Sequence, residues 1–146
     1  MPTRSSKAGH YISGRTFLCR LPHDADLLDW LVRFATEQKM QMATISVIGA
    51  VETAKVAYYD QRQKSYSEIA IDKNLEIVSC TGNISIKEGK LFAHCHAVFS
   101  DDCGETFGGH VATGTIIFAA EAHVQEIVGH ELVREYDDVT GLALWK

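Results

Sequence analysis

The 146-residue sequence has no long apolar run, no Cys-x-x-Cys pair and fewer basic than acidic side chains. Because no run of about 18 apolar residues occurs, the sequence predicts no membrane-spanning helix. The first ten residues carry charge and have no apolar centre, so we expect no secretory signal there. We predict a flexible N-terminal arm over residues 1–10, followed by a single domain over residues 11–146.

The sequence holds four scattered cysteines, Cys19, Cys80, Cys95 and Cys103. Without an export signal, this usage is typical of reduced thiols in a cytoplasmic protein. The formal net charge of −5 disfavours free-standing DNA binding, since non-specific affinity comes from Lys and Arg that neutralise phosphates. Two basic clusters occur, Arg4 with Lys7 and Arg62 with Lys64. We interpret both as solvated loop charges, which is a simpler explanation than a DNA-binding surface.

Residue patterning predicts many strands and one clear helix. We expect that helix to be capped by Asp24 or Asp26 and to end near residues 38–40. The predicted strands are residues 11–21, 43–51, 55–59, 66–71, 75–79, 83–87, 91–100, 106–119 and 142–145. Residues 121–128 are ambiguous between strand and helix, and Thr81-Gly82 is expected to break a strand. This order favours an α+β fold around a largely antiparallel β-sheet.

Three histidines lie close together in the stretch HCHAVFSDDCGETFGGH, which runs from His94 to His110. Side chains on a strand alternate between its two faces, so His94 and His96 share a face and Cys95 points to the other. We take Asp102-Cys103-Gly104 as a three-residue hairpin loop with its glycine in the left-handed conformation. With that loop, His110 lies directly opposite His96, and the three rings converge.

Two interpretations of these histidines remain open. In the first, three neutral imidazoles without a thiolate bind one divalent transition metal, with zinc favoured and one position left for water or substrate. In the second, they are ordinary polar residues, and a bulge at Gly108-Gly109 moves His110 out of register. Glu105 and Glu121 are candidate bases beside a metal-bound water, although solvated strand-end carboxylates are the simpler explanation of both.

Several segments together match a known pattern: residues 46–51, Tyr58-Tyr59-Asp60, residues 75–85, His94-x-His96-Ala97-x-Phe99-Ser100-Asp101 and Gly108-Gly109-His110-x-x-x-Gly114-Thr115. In combination, and over roughly residues 13–131, they resemble the PPC (plants and prokaryotes conserved) domain family. Its prokaryotic members carry the label of PD1-like DNA-binding proteins. The resemblance implies an α+β fold with a twisted antiparallel sheet and flanking helices, a homotrimer, and a metal site at His94, His96 and His110, with zinc as the favoured metal.

Three functional hypotheses follow from the residues and the resemblance. The first is a trimeric metal-binding module of open biochemical role, and the second is a metal-dependent hydrolase or lyase. The third is a DNA-binding or regulatory module, because plant relatives attach an AT-hook with an Arg-Gly-Arg-Pro core. This sequence has no such hook, and Gly14-Arg15-Thr16 is its nearest approach. We favour the first hypothesis and keep the enzyme as the runner-up, with the substrate left open.

Overall fold

The computed structural model describes residues 8–146. Most of the predicted N-terminal arm, residues 1–7, lies outside the described residues, and residues 8–11 precede the first strand without regular structure. The elements are β1 (Ile12–Leu21), α1 (Leu27–Glu37), β2 (Ala43–Asp60), β3 (Ser65–Ile71), β4 (Leu75–Lys87), β5 (Lys90–Ser100), β6 (Thr106–Val111), β7 (Ile116–Val128), β8 (Val133–Asp137) and β9 (Leu142–Trp145). No helix in this described range is long and apolar enough to span a membrane.

The predicted helix is confirmed, with Asp26 as its N-cap. The Asp26 carboxylate accepts a hydrogen bond from the backbone N–H of Asp29 at 3.1 Å, which satisfies a donor that the first turn leaves free. Its second oxygen accepts from the N–H of Gly114 at 2.6 Å and so ties the helix to the β6–β7 turn. The helix buries one apolar face, made of Leu27, Trp30, Leu31 and Ala35.

The strand β2 is the spine of the sheet, because it pairs with four other strands. Its first half, from Ala43, lies between β4 and β7, and its second half, to Asp60, contacts β3 and β6. Since β6 also pairs with β5 and β5 with β4, the ladder closes into a ring of β2, β4, β5 and β6. This ring brings strands that are distant in sequence around one core.

The predicted fold class needs two corrections. The sheet is largely antiparallel, as expected, but β8 pairs in parallel with β4, so the sheet is mixed. Within the described residues one helix accompanies nine strands, so the protein is rich in β-structure and lacks the several flanking helices that the resemblance implied. Hairpins connect β2 to β3, β4 to β5, β5 to β6 and β8 to β9, and antiparallel pairs of this kind need no helical crossover.

Several predicted strand boundaries are wrong. Residues 43–51 and 55–59 belong to the single strand β2, and β8 lies where no strand was predicted. Thr81-Gly82 does not interrupt β4; a side chain at position 82 would collide with the carbonyl oxygen of His94, so the glycine permits a close strand pair. The strand predicted over residues 106–119 is instead split by a turn over residues 112–115. Thr115 fixes that turn with its buried hydroxyl, which accepts from the N–H of Lys55 at 3.0 Å.

Candidate metal centre

The β5–β6 hairpin has the register that the sequence predicted. His96 pairs directly with His110, and the ladder runs without a shift to Ser100 and Thr106. The loop closes as a three-residue connection, since the N–H of Asp101 donates to the carbonyl of Glu105 at 3.0 Å. Gly104 within the loop has φ +81°, the left-handed conformation that such a loop requires. A bulge at residues 108–109, which would move His110 out of register, is absent from this ladder.

Three imidazole rings therefore converge on one face of the sheet. Nε2 of His94 lies 3.2 Å from Nε2 of His96, and the three ring centroids are 5.0 to 5.4 Å apart. One nitrogen from each ring of His94, His96 and His110 lies within 4.8 Å of the other two. Nitrogen ligands around one tetrahedral ion are roughly 3.3 Å apart, so this spacing suits a shared ion. Cys95 is buried on the opposite face, as expected.

Electrostatics keep these rings available as ligands. Burial lowers the pKa of His94 to about 4, with smaller contributions from the positive charges of His110, Arg134 and His96. Burial also lowers the pKa of His110, followed by the effects of His96, Lys87 and Arg134. Both rings are therefore neutral at pH 7 and keep a free lone pair. Nδ1 of His110 is buried without a hydrogen-bond partner among the described residues, an orphaned position that a cation can satisfy.

Arg134 of β8 is a site residue that the sequence did not reveal. Its side chain lies against the cluster, with Nη2 3.3 Å from Nδ1 of His94. Nη2 also donates to the Asn83 side-chain oxygen at 2.9 Å, and Nε donates to the Ser85 hydroxyl at 3.0 Å. A further bond runs from Nη1 to the carbonyl of Ala143 at 3.3 Å. These four neutral partners hold the guanidinium in place beside His94.

A cavity of about 310 Å³ opens beside the histidine cluster. Its lining includes His94, His110, Arg134 and Lys87, together with residues 141–144 of the last hairpin. Tyr66 of β3 forms another wall, and its ring centroid is 5.2 Å from that of His110. Nothing in the local sequence pattern around Tyr66 indicates that β3 reaches this cavity, so the sequence alone does not predict Tyr66 as a site residue.

The structure does not bring the two candidate carboxylates to the cluster. Glu105 lies at the loop end of the hairpin, five positions before His110, which is ~17 Å at the usual strand rise. Glu121 pairs with Ile48 of β2, whereas His110 pairs with Ala57 much further along that strand. For Glu105, nearness to His110 in sequence was therefore a poor guide to nearness in space.

Comparisons with known proteins give one consistent family. Residues 9–128 match the family described as the Plants and Prokaryotes Conserved (PCC) domain. A metal-containing protein from Archaeoglobus fulgidus superposes with a TM-score of 0.92 and 38% identity, over 97% of this chain and 99% of that one. A plant- and prokaryote-conserved (PPC) protein from Pyrococcus horikoshii gives 0.90 and 33%, with 97% of each chain covered. A candidate DNA-binding protein from Ralstonia eutropha JMP134 gives 0.80 and 25%, over 94% and 96%.

Curated relatives that match are much longer proteins. The bifunctional protein GlmU of Synechococcus sp. (strain JA-3-3Ab) is 29% identical over 129 residues, which cover 87% of this chain and 20% of that protein. GlmU of a second Synechococcus strain matches in the same way, at 28% identity. The chain thus spans about a fifth of the length of the curated relatives it matches.

Proposed function

Because this chain belongs to the Plants and Prokaryotes Conserved (PCC) domain family, we propose that it is a homotrimeric metal-binding protein that holds zinc at His94, His96 and His110. The observation that carries the proposal is the convergence of three ring nitrogens within 4.8 Å. The orphaned Nδ1 of His110 and the neutral state of the buried rings support it. The similarity to a metal-containing protein of Archaeoglobus fulgidus points in the same direction.

The donor set favours zinc among the divalent transition metals. Three neutral imidazoles and no thiolate form the usual set of a site in which a fourth position stays open for water or a ligand. Nickel, copper and iron also accept imidazole nitrogen, so the metal identity is part of the test. The cavity beside His94 and His110 would give such a fourth ligand room next to the cluster.

The direct test is metal content by elemental mass spectrometry on tag-free protein. We expect near one ion per chain in the wild type and near none in a variant with His94, His96 and His110 all replaced by alanine. His123→Ala is the matched control, because His123 is an exposed histidine on β7 outside the cluster. Metal-free wild type after zinc is added back, with folding verified, would overturn the proposal.

The homotrimer is proposed on family membership and on one exposed apolar surface. Leu18, Ile48 and Val78, from three neighbouring parts of the sheet, are all exposed and line a continuous surface. Large exposed apolar patches mark interaction sites, since water contact costs free energy. We expect light scattering to give three chains for the wild type and fewer for Ile48→Glu. Ile69→Glu is the control: Ile69 lies on β3 and is as exposed as Ile48, and this variant should remain a trimer. A monomeric wild type would contradict the proposal.

A metal-dependent hydrolase or lyase is the second candidate, favoured by the cavity of about 310 Å³ at the cluster. A metal in such a site polarises a carbonyl group or lowers the pKa of a water molecule. Within the described residues, Lys87, Arg134 and Tyr66 are the polar groups that face this space with the histidines, and neither Glu105 nor Glu121 does. The chain's own contribution is therefore to orient an anionic or carbonyl group. The enzyme proposal predicts that His96→Ala abolishes hydrolase or lyase turnover and that Glu105→Gln keeps it.

DNA binding belongs to the names of some relatives, and the formal net charge of −5 disfavours it for this chain. Four basic side chains, Arg15, Lys55, Lys73 and Lys146, are already paired with carboxylates. Paired cations release few counterions from DNA, so we expect weak binding at physiological salt. Fluorescence anisotropy with duplex DNA across a salt series measures this, and a steep salt dependence would favour the DNA-binding alternative. We also propose a cytoplasmic location, in which Cys19, Cys80, Cys95 and Cys103 stay reduced.

A further inference from the structure

We infer that Arg134 and Lys87 form a binding site for a small organic anion, whose carboxylate or phosphate group lies in the cavity that the guanidinium lines together with His94 and His110. The inference rests on the proposed metal site for its second contact and names the class of molecule that occupies the cavity. It depends on three observations: a buried cation without a counter-charge, the contact between Arg134 and His94, and the lining of the cavity.

The first observation is the burial of Arg134 without a counter-charge. The residue is only 9% exposed, and burial lowers the pKa of its guanidinium. Among the described residues, no carboxylate oxygen lies within 4.0 Å of it, whereas Arg15, Lys55, Lys73 and Lys146 are all paired. A guanidinium stays protonated in proteins, and a buried charge without a partner is destabilising. An anion in the adjoining cavity supplies the missing partner.

The second observation is the contact between Arg134 and His94. Nη2 of Arg134 lies 3.3 Å from Nδ1 of His94. The guanidinium therefore lies directly beside the proposed ligand cluster, and it lines the same cavity as His94 and His110. An anion bound to Arg134 in this cavity is also close to the two rings.

The third observation is the composition of the cavity wall. Nζ of Lys87 lies 4.8 Å from the centroid of Phe92, and the Arg134 guanidinium lies 5.6 Å from the same ring. Two cations therefore flank one aromatic side chain at the mouth of the cavity. Phe92, Leu142 and Leu144 make the rest of this wall apolar, which suits the carbon skeleton of an organic molecule. A volume of about 310 Å³ is small for a ligand pocket, so the molecule is small too.

The test is a calorimetric titration of succinate and of inorganic phosphate into metal-free and Co²⁺-loaded protein. Trp145 gives an independent signal, because its ring lies 5.0 Å from the Arg134 guanidinium. Co²⁺ absorption reports whether the anion also enters the coordination sphere. The variants are Arg134→Met, Arg134→Lys and Lys87→Met. The matched control is Lys90→Met, in the same hairpin but outside the cavity lining.

We expect binding to the wild type and a roughly tenfold or greater loss in Arg134→Met, since a charge-assisted bond disappears. Arg134→Lys should bind with intermediate affinity because it keeps the charge and loses the planar fork. Lys87→Met should bind several-fold more weakly, and Lys90→Met within about twofold of the wild type. If Arg134→Met fails to fold, the anion affinities of Arg134→Lys and Lys87→Met test the inference instead. Tighter binding of succinate than phosphate identifies a carboxylate ligand, and the reverse order identifies a phosphate.

The inference is overturned if folded Arg134→Met binds the anions as the wild type does, or if neither probe binds either form of the wild type. Its failure is distinct from that of the metal site. Cobalt binding with no anion response contradicts only the inference. Anion binding to the metal-free protein in a chain that takes up no metal contradicts only the proposed function.

Discussion

His96 and His110 face each other as a direct pair across the β5–β6 ladder, and His94 lies two positions from His96 on the same face. The nitrogens of the three rings therefore converge on a single place, where one ion can contact all three. A ligand set of this kind acts as a unit, because one missing nitrogen leaves the ion with two protein contacts.

Removing any single ring is therefore expected to abolish stoichiometric metal binding. His94→Ala, His96→Ala and His110→Ala should each lower the affinity for Zn²⁺ by roughly 100-fold or more, since losing even an indirect supporting contact costs up to that factor. Competition with a chromophoric chelator measures the affinity, with His123→Ala as the control. A variant that keeps about half of the wild-type metal would contradict the shared site, because separate ions would be lost separately.

Asp26 is expected to be more important than an ordinary helix cap, since its two oxygens hold both the first turn of α1 and the Gly114 turn. Asp26→Ala should lower the free energy of unfolding by about 2 kcal/mol, at the upper end of the range for a lost cap. Denaturant unfolding measures it. Asp26→Asn keeps a capping oxygen and loses one acceptor, so it should lower the free energy of unfolding by less than Asp26→Ala does. If both variants lose the same free energy, the effect does not come from the cap.

The sequence predicted the hairpin register and the helix because both follow from local geometry. Alternation along a strand and the left-handed Gly104 determine which residue faces His96, and neither depends on distant contacts. The capping of α1 by Asp26 is local in the same sense. These features needed only a short stretch of chain to be predicted correctly.

The rest of the site depends on pairings between strands that are far apart in sequence. Arg134 reaches His94 because β8 pairs with β4 through only two residue pairs, Ile86 with Val133 and Lys87 with Arg134. A contact so short leaves no hydrophobic pattern that a sequence can show. Glu105 shows the converse, since it is near His110 in the chain but lies just before β6, at the far end of that strand from His110.

Phe99 is expected to be a major contributor to stability, because it is completely buried on the core side of β5. Phe99→Ala should lower the free energy of unfolding by about 3–5 kcal/mol, from lost burial and the cavity that remains. Phe118→Ala is the matched control: that ring is 57% exposed, so its change should stay within about 0.5 kcal/mol in the isolated chain. Similar losses for both phenylalanines in unfolding experiments would show that Phe118 is covered in solution.

The ion pair between Arg15 and Glu126 predicts a defined window of acid sensitivity. Hydrogen bonds from the Arg15 side chain and backbone hold the pKa of Glu126 at about 2, below its ordinary value of 4.5. A carboxyl whose pKa is lower in the folded state stabilises the fold at any pH above 4.5, and this contribution disappears as the pH falls from 4.5 towards 2. Glu126→Gln should therefore lower stability at neutral pH and flatten the pH dependence only below about 4.5. Thermal unfolding across pH 2–7 measures both effects, with Glu135→Gln, an exposed carboxylate at the opposite edge of the sheet, as the control. A variant that is as stable as the wild type at pH 7, or that differs from it mainly above pH 5, would show that solvent screens this pair completely.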